Sequence, residues 1–318
     1  MSSVRPFRFG ILVATDPGDI PSREAWITLA RKAEDLGYST LLIADHYINE
    51  YLPIAALMFV ADATHMLRIG TAVFDNNYRH PVLLAKEVAA LDWLSGGRFE
   101  LGLGAGALKI DYDQTGLTFD PPLVRIRRLE ESVSLLKQLF TQDSVTFAGE
   151  YYRVTDLAGF PKPAQRPHPP FFIGGGGKKM LQLAAREADI AGLEHRVKDS
   201  ADTFDAYEHS EAALAEKVAF LRETAGERFA AIELNHGIRK LIITENRQQA
   251  AEQRARERAA TGVTPAQVLD DPYLFIGTIE FLVETLQRQR EQYGISYLHV
   301  PFQDIDTFAP VVARLAGK

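Results

Sequence analysis

No cysteine occurs among the 318 residues. Disulfides, thiolate metal sites and thiol catalysis are therefore excluded. Nor is there any excess of basic charge. Thirty-five lysines and arginines against 42 acids leave a net charge of −7, which favours solubility and argues against a general nucleic-acid surface. The longest apolar run, IAALMFVA (54–61), is far too short to cross a bilayer, so no membrane partner is expected. The opening MSSVRPFRFG has no apolar h-region. No secretory signal is expected, and a cytoplasmic protein is the default. Histidines at ligand spacing are missing too: His46, His80, His195 and His236 stand apart, no H-x-H ends a strand-like run, and no metal site is expected. Only Lys240 lies in a strand-like run, among neighbours that do not suggest a Schiff-base pocket. A G-x-S-x-G elbow and a Walker loop are likewise absent.

What is present is alternation. Short apolar runs with strand composition fall at 8–14, 39–46, 68–74, 98–106, 169–174, 189–193, 232–244 and 296–301. Nearly every one is followed by a segment with helical spacing, such as PSREAWITLARKAEDLG (21–37), which Ser22 can cap and Gly37 can end. Runs that are continuously apolar fit parallel strands covered on both faces. Eight such units in one chain favour a (β/α)8 barrel over an open doubly wound sheet, in a single domain spanning 1–318. Three stretches exceed ordinary loop length and read as insertions: 141–168, 194–203 and 261–276. FAGEYYRV, in the first, looks like half of a small hairpin.

In a barrel, chemistry belongs just after the strands. Those positions hold Asp45-His46, Asp75, the Gly104–Ala107 run, Gly174 to Gly177, and Glu194-His195. Asn235-His236 interrupt an apolar strand and point either to a polar cavity or to hydrogen bonds of their own. Consecutive glycines expose amide N–H groups, and a following helix adds its positive amino end, so FFIGGGGKKM (171–180) reads as a cradle for an anion or as a plain turn. His80, before Pro81, reads as a helix cap. The run RQQAAEQRARERAA (247–260) reads as a solvated helix face, with Glu252 and Arg256 at pairing distance in sequence.

The chain resembles the bacterial luciferase-like superfamily of flavin- and deazaflavin-dependent enzymes. The resemblance is carried by AEDLGYSTLLIADH (33–46), by IGTAVFDNNYRHPVLLAKEVAALDWLSGGRFELGLGAG (69–106), by PPFFIGGGGKKMLQLAAREAD and by GTIEFLVETLQRQREQYGIS (277–296). It implies a TIM barrel of the luciferase-like type with loop insertions. Within the superfamily the chain is most similar to the branch using coenzyme F420. That implies an oxidoreductase moving hydride between the deazaflavin and a small organic substrate, with a homodimer as the expected assembly.

Carried over position by position, the resemblance places His46 as the catalytic residue and, with Asp45, at the cofactor. Ala72–Val73 falls where the branch has a non-proline cis peptide behind the ring. Asp75 stands where the family often has threonine or serine, Ala105 and Gly106 match ring-side or ribityl-side positions, and Gly174, Gly175, Gly176 and Gly177 match the loop holding the cofactor phosphate. Glu194, His195 and Asn235 are the expected substrate-side residues. One departure stands out. Members that oxidise sugar phosphates carry a glutamate directly after the GxG of the fourth strand, and this chain has Ala107. Sugar phosphate oxidation is therefore not expected; Glu194 and Asp111 are the candidate substitutes, with nothing in the sequence that shows either taking the role. The basic helix 247–260 has a second reading, as a contact for the polyglutamate tail of F420. An FMN-dependent monooxygenase fed by a partner reductase is the alternative enzyme, and a non-catalytic flavin-binding protein is the alternative from another class.

Overall fold

The computed structural model describes residues 5–14, 17–47, 51–196 and 205–318. Its centre is a ring of parallel strands: β1 (Arg8–Val13), β2 (Thr40–Ile43), β3 (Arg68–Thr71), β4 (Phe99–Gly104), β5 (Phe171–Gly174), β6 (Ile190–Gly192), β7 (Glu233–Gly237) and β8 (Ile295–Pro301). Each pairs with its neighbour in order, β8 returns to β1, and Ile69 and Gly70 of β3 pair with Phe99 and Glu100 of β4. The ring therefore has no edge. It is a closed (β/α)8 barrel, and the open-sheet alternative is excluded. After a bend at Ala72–Val73, whose peptide is cis, Phe74–Asp75 continues β3 against Leu103 and Gly104.

Helices surround the ring: α1 (Arg23–Asp35), α2 (Pro53–Ala63), α3 (Pro81–Leu94), α4 (Lys109–Thr115), α5 (Pro122–Thr141), α6 (Lys178–Glu187), α7 (Glu211–Ala225), α8 (Arg247–Glu257), α9 (Pro265–Asp270), α10 (Ile279–Tyr293) and α11 (Ile305–Leu315). The caps are those the sequence implies. The Ala25 amide donates to Ser22 Oγ at 3.1 Å, Val82 N–H donates to His80 Nδ1 at 3.2 Å, and Gly37 follows α1 with φ +81°. No helix among the described residues is long and apolar enough to cross a membrane.

The insertions take distinct forms. The 141–168 stretch carries an antiparallel hairpin, Ser144–Ala148 with Arg153–Ala158. The 261–276 stretch holds α9 and a strand, Leu274–Gly277, which pairs in parallel with Lys240–Ile243 outside the barrel. This corrects the expected single strand over 232–244. At Ile238 the chain still bonds β8, its N–H donating to the His299 carbonyl at 2.7 Å; Arg239 N–H instead donates to Tyr273 O at 2.8 Å, and the chain leaves the ring. Most of the expected 194–203 insertion, residues 197–203, lies outside the described residues, as does Phe204. The short, polar sequence of α4 gives no helical signal of its own.

Side-chain parity fixes what fills the barrel. At its amino end the inward residues are charged. Arg8 Nη1 and Arg68 Nε both donate to Glu100 Oε1, at 2.6 and 2.7 Å, and Arg8 Nη2 donates to Glu233 Oε2 at 2.6 Å. The Arg8 guanidinium also stacks 3.6 Å from the Tyr297 ring centroid. Above this floor sits an apolar layer of Leu42, Phe172, Ile190 and Tyr297.

Glu100 is 1% exposed. Burial alone would raise its pKa, but Arg8 and Arg68 outweigh that and hold the carboxyl below its usual range. Replacing Glu100 by Ala leaves two guanidinium groups facing an apolar layer, and urea denaturation is expected to show a loss of about 3–5 kcal/mol. The wild-type contribution is complete above the ordinary glutamate range and is lost as pH falls through the lowered value. A Glu100→Ala protein with unchanged stability at neutral pH would contradict this role.

Candidate active site

A cleft of about 2030 Å³ opens at the carboxyl ends of the strands. A single small-molecule site typically takes roughly 300–1,000 Å³, so there is room here for two ligands. Asp45, His46, Ala72, Val73, Asp75, Ala105, Gly106, Gly174, Gly175, Gly176, Gly177, Glu194 and His195 all line it. Asn235, expected on the substrate side, does not. It points inward from β7, is 0% exposed, and lies in the barrel interior away from the cleft wall.

Three carboxylates meet where β2 and β3 end, and each has a different partner. Asp45 is clamped by Arg79, with Nη1 to Oδ2 at 2.5 Å and Nη2 to Oδ1 at 2.9 Å, and it also accepts the Asp75 amide at 3.1 Å. Its carboxylate therefore ties two strand ends together. Asp75 accepts from Tyr112 Oη at 2.5 Å and from the Asn77 amide at 2.8 Å. Burial raises the Asp75 pKa, and these hydrogen bonds oppose the rise. Asp111, on α4, is 0% exposed and accepts Tyr47 N–H at 3.0 Å, while its other oxygen lies 2.8 Å from His46 Nδ1. With Asp111 as a carboxylate acceptor, Nδ1 carries the hydrogen and Nε2 is left as the ring's acceptor. Tyr78 stands beside this group; burial and the charges of Asp75 and Asp111 push its phenol pKa up, so it stays protonated.

The loop after β4 is locked by the same network. Gly106 has φ +80°, and a Cβ there would meet Tyr112 Oη at 2.1 Å and Asp75 Oδ2 at 2.4 Å. Arg125, buried in α5, donates to the carbonyls of Ala105 and Gly106. The glycine tract after β5 is less uniform than its sequence. At Gly176 a Cβ would lie 2.1 Å from Glu194 O and 2.7 Å from Arg196 N, so that residue is bare because the loop after β6 packs on it. A Cβ at Gly177 would meet nothing within 4 Å, and this residue caps α6 without any side-chain bond. The first-turn amides of α6 are thus open to the cleft, with no side chain competing for them.

Across the cleft, Glu194 Oε2 lies 3.5 Å from Arg239 Nη2, and burial raises the Glu194 pKa against the pull of Arg239. The carboxylate beside His46 is therefore Asp111; Glu194 serves Arg239. The His195 and His209 rings lie 4.8 Å apart between centroids, tilted by 32°, and His209 Nδ1 bonds Asp271 at 2.9 Å. His299 reaches the cleft from β8. His236 faces outward from β7, with Nε2 3.2 Å from Gln289 Oε1. On α8 the observed ion pair is Arg254 with Glu257 at 3.2 Å, while Glu252 accepts from Gln248. Sequence reasoning passes over Arg79 and His299. His299 is readable in principle, since it shares inward parity with Tyr297; Arg79 opens the RHP run that carries the resemblance, but nothing in that run names Asp45 as its partner.

The bound group implied by the resemblance can be tested against these residues. An uncapped helix start beside open glycine suits a phosphate, and the small side chains of Ala72 and Ala105 on the cleft wall leave room for a flat ring system. The residues present fit a phosphate-bearing flavin or deazaflavin.

Comparison with known proteins agrees with this architecture. The family model described as luciferase-like monooxygenase matches residues 7–296. An F420-dependent glucose-6-phosphate dehydrogenase of Amycolatopsis mediterranei (strain U-32) is 30% identical over 171 residues, covering 51% of each chain. An FMNH(2)-dependent dimethylsulfone monooxygenase of Pseudomonas putida is 33% identical over 145 residues, 43% of this chain and 40% of that one. The chain thus aligns with about half the length, or less, of the curated relatives it matches. Among solved structures, the coenzyme F420-dependent tetrahydromethanopterin reductase of Methanopyrus kandleri superposes with a TM-score of 0.73 at 20% identity, over 98% of this chain and 99% of that one. That likeness speaks for the fold.

The two glycines of the tract separate experimentally. Gly176→Ala forces a methyl against backbone atoms and is expected to cost about 1–3 kcal/mol in urea denaturation. Gly177→Ala meets nothing and loses only the N-cap preference for glycine over alanine, so it is expected to cost less, at most about 1 kcal/mol. Equal effects at the two positions would refute the packing described for the β6 loop.

Proposed function

The chain belongs to the luciferase-like monooxygenase family, and from that premise we propose that it is an F420-dependent oxidoreductase acting on a small organic substrate. The observation that carries this reading is the pairing, in one cleft, of an anion-ready helix start at Gly174–Gly177 with the His46–Asp111 pair. When bound, the deazaflavin would supply the hydride. The remaining roles fall to the chain's own groups. The α6 amides and the glycines before them receive a phosphate; Ala72–Val73 and Ala105–Gly106, small residues on the cleft wall, leave room for a ring. The Asp45–Arg79 clamp holds the β2 end against the β3 extension. That fixes the strand end from which His46 projects. Asp111 holds the imidazole by Nδ1, so that Nε2 is the atom that takes or gives a proton beside the substrate.

Two features shape the details. Ala107 leaves the β4 end without the carboxylate used by sugar-phosphate-oxidising members, so sugar phosphates stay outside the proposal. The likeness to an FMNH(2)-dependent monooxygenase supports a second reading, in which the same cleft takes reduced FMN. A purely flavin-storing protein is disfavoured by the His46–Asp111 pair, which storage does not require.

Titrating the protein separately with F420 and with FMN, followed by cofactor fluorescence, tests the assignment. Tighter binding of F420 is the expected outcome. A clear preference for FMN, with oxygen uptake on adding reduced FMN, would replace it by the monooxygenase reading.

A further inference from the structure

Among the lysines and arginines that line the cleft, Lys217 and Arg125 are more than nine-tenths buried. Lys217 is matched by Glu208 at 2.8 Å. Arg125, 6% exposed, forms no ion pair among the described residues. Its guanidinium is held by carbonyl oxygens alone: Nε donates to Asp120 O at 2.9 Å, and Nη1 donates to Ala105 O at 2.9 Å and to Gly106 O. Nη2 bonds no group among the described residues, and it is not sealed off from the cleft that Arg125 lines. Arginine cannot shed its charge, so a buried one without an anion calls for a physical reason.

The acids on this side of the cleft already have partners. Asp120 gives Arg125 only its carbonyl, because its carboxylate meets Arg128 Nη2 at 2.6 Å. Asp75 accepts from Tyr112 and Asn77, Asp111 faces His46, Asp45 is clamped by Arg79, and Asp113 is paired with Lys109. The cations on the far side are solvated or matched. Lys178, Lys179 and Arg196 are exposed; Arg239 faces Glu194 at 3.5 Å, Arg254 faces Glu257 at 3.2 Å, and Arg258 has a partner of its own. Arg125 thus leaves one buried positive charge unmatched. The wall around it is apolar: Leu108, Ile110, Phe119, Pro122 and Ile126 line the cleft from the same stretch of chain, and the Phe119 ring centroid lies 4.1 Å from the guanidinium carbon. Ala107 belongs to the same wall, directly after the Gly106 carbonyl that Arg125 holds. A glutamate at that position would supply a negative charge there, and alanine does not.

We propose that Arg125 anchors a carboxylate of the substrate, and that the body of this substrate is apolar and lies along the wall from Leu108 to Ile126. The inference rests on the oxidoreductase reading above and names its substrate class, an apolar monocarboxylic acid. One open guanidinium edge suits the two oxygens of a carboxylate better than the three oxygens and higher charge of a phosphate. A neutral ligand would leave the buried charge unmatched, whereas a carboxylate matches it in apolar surroundings, where a charge-assisted bond is strong. Asp111 sits on α4, directly after the same loop, and holds His46. A substrate anchored at Arg125 therefore has its body on the side of the cleft that carries the imidazole. Arg125 binds and orients; His46 keeps the proton-handling role.

The test is proton–nitrogen NMR of the full chain labelled at arginine, with the Arg125 side-chain signal assigned through Arg125→Lys. Phenylacetate and phenylpropionate are the apolar carboxylates, phenylacetamide is the neutral probe, and inorganic phosphate is the anion without an apolar body. Both carboxylates should shift the Arg125 signal saturably, and phenylacetamide and phosphate should not. Arg125→Gln should weaken carboxylate binding roughly tenfold to hundredfold, the worth of a charge-assisted bond. Ala107→Glu leaves every Arg125 bond in place and guards against misfolding of the first variant; like charge on the wall should weaken carboxylate binding roughly tenfold. Silence towards both carboxylates, an equal response to phenylacetamide or phosphate, or carboxylate binding that ignores both substitutions would overturn the proposal. So would an Arg125 shift on adding F420 or FMN alone that then blocks the carboxylates, because it would give Arg125 to the cofactor. Cofactor binding with Arg125 silent towards carboxylates removes this site alone. Carboxylate binding at Arg125 in a protein that takes neither F420 nor FMN removes the oxidoreductase reading and leaves the site standing.

Discussion

Everything at the functional end of this barrel stands on the ionic floor at the other end. Glu100 draws Arg8 and Arg68 to a single carboxylate oxygen, and Arg8 turns its second edge to Glu233. A buried arrangement of this kind is stable only when its members are matched, which fixes the inward parity of β1, β3, β4 and β7. Once that parity is set, the next inward residues are an apolar plug and the ones above it are largely glycines. The cleft is therefore a consequence of register. A slip of one residue would turn Glu100 outward and Leu101 inward, and would close the space above.

At the rim, three aspartates of similar sequence appearance have been put to different uses. Asp45 is matched by a guanidinium, Asp75 by a phenol and amides, and Asp111 by an imidazole. Only the last arrangement leaves a titratable atom for chemistry, since the imidazole keeps Nε2 while its other nitrogen is held. Ala107 carries no carboxylate at the β4 end, and the carboxylate bonded to His46 comes from Asp111 on α4. On the opposite wall Glu194 faces Arg239 and His209 bonds Asp271, with the ring of His195 beside His209.

Much of this is legible in the amino-acid order, for definable reasons. Strands buried on both faces are continuous apolar runs, so β1 to β6 and β8 stand out, and their count implies closure. The run through 232–244 misleads because IRKLIIT stays apolar while the chain changes sheets at Ile238–Arg239; composition does not register a change of partner. Helix α4 escapes notice because a seven-residue helix with acids on it has little apolar periodicity. His46 is readable, but its partner Asp111 lies 65 residues away, and only the closed ring brings them together. Asn235 is misplaced for want of a parity reference, which Glu233 provides once its bond to Arg8 is known. The glycine tract reads as a uniform cradle, whereas Gly176 is bare for packing and Gly177 is bare towards the cleft.

The central claim is that one cleft holds a phosphate-bearing deazaflavin from the α6 amides to the Val73 side of the barrel, within reach of His46. A crystal structure of the protein with F420 bound tests it most directly. The account predicts phosphate density at the amides around Gly177 and ring density beside Val73, with His46 still bonded to Asp111. Cofactor density outside this cleft, or a phosphate far from the glycine tract, would contradict it.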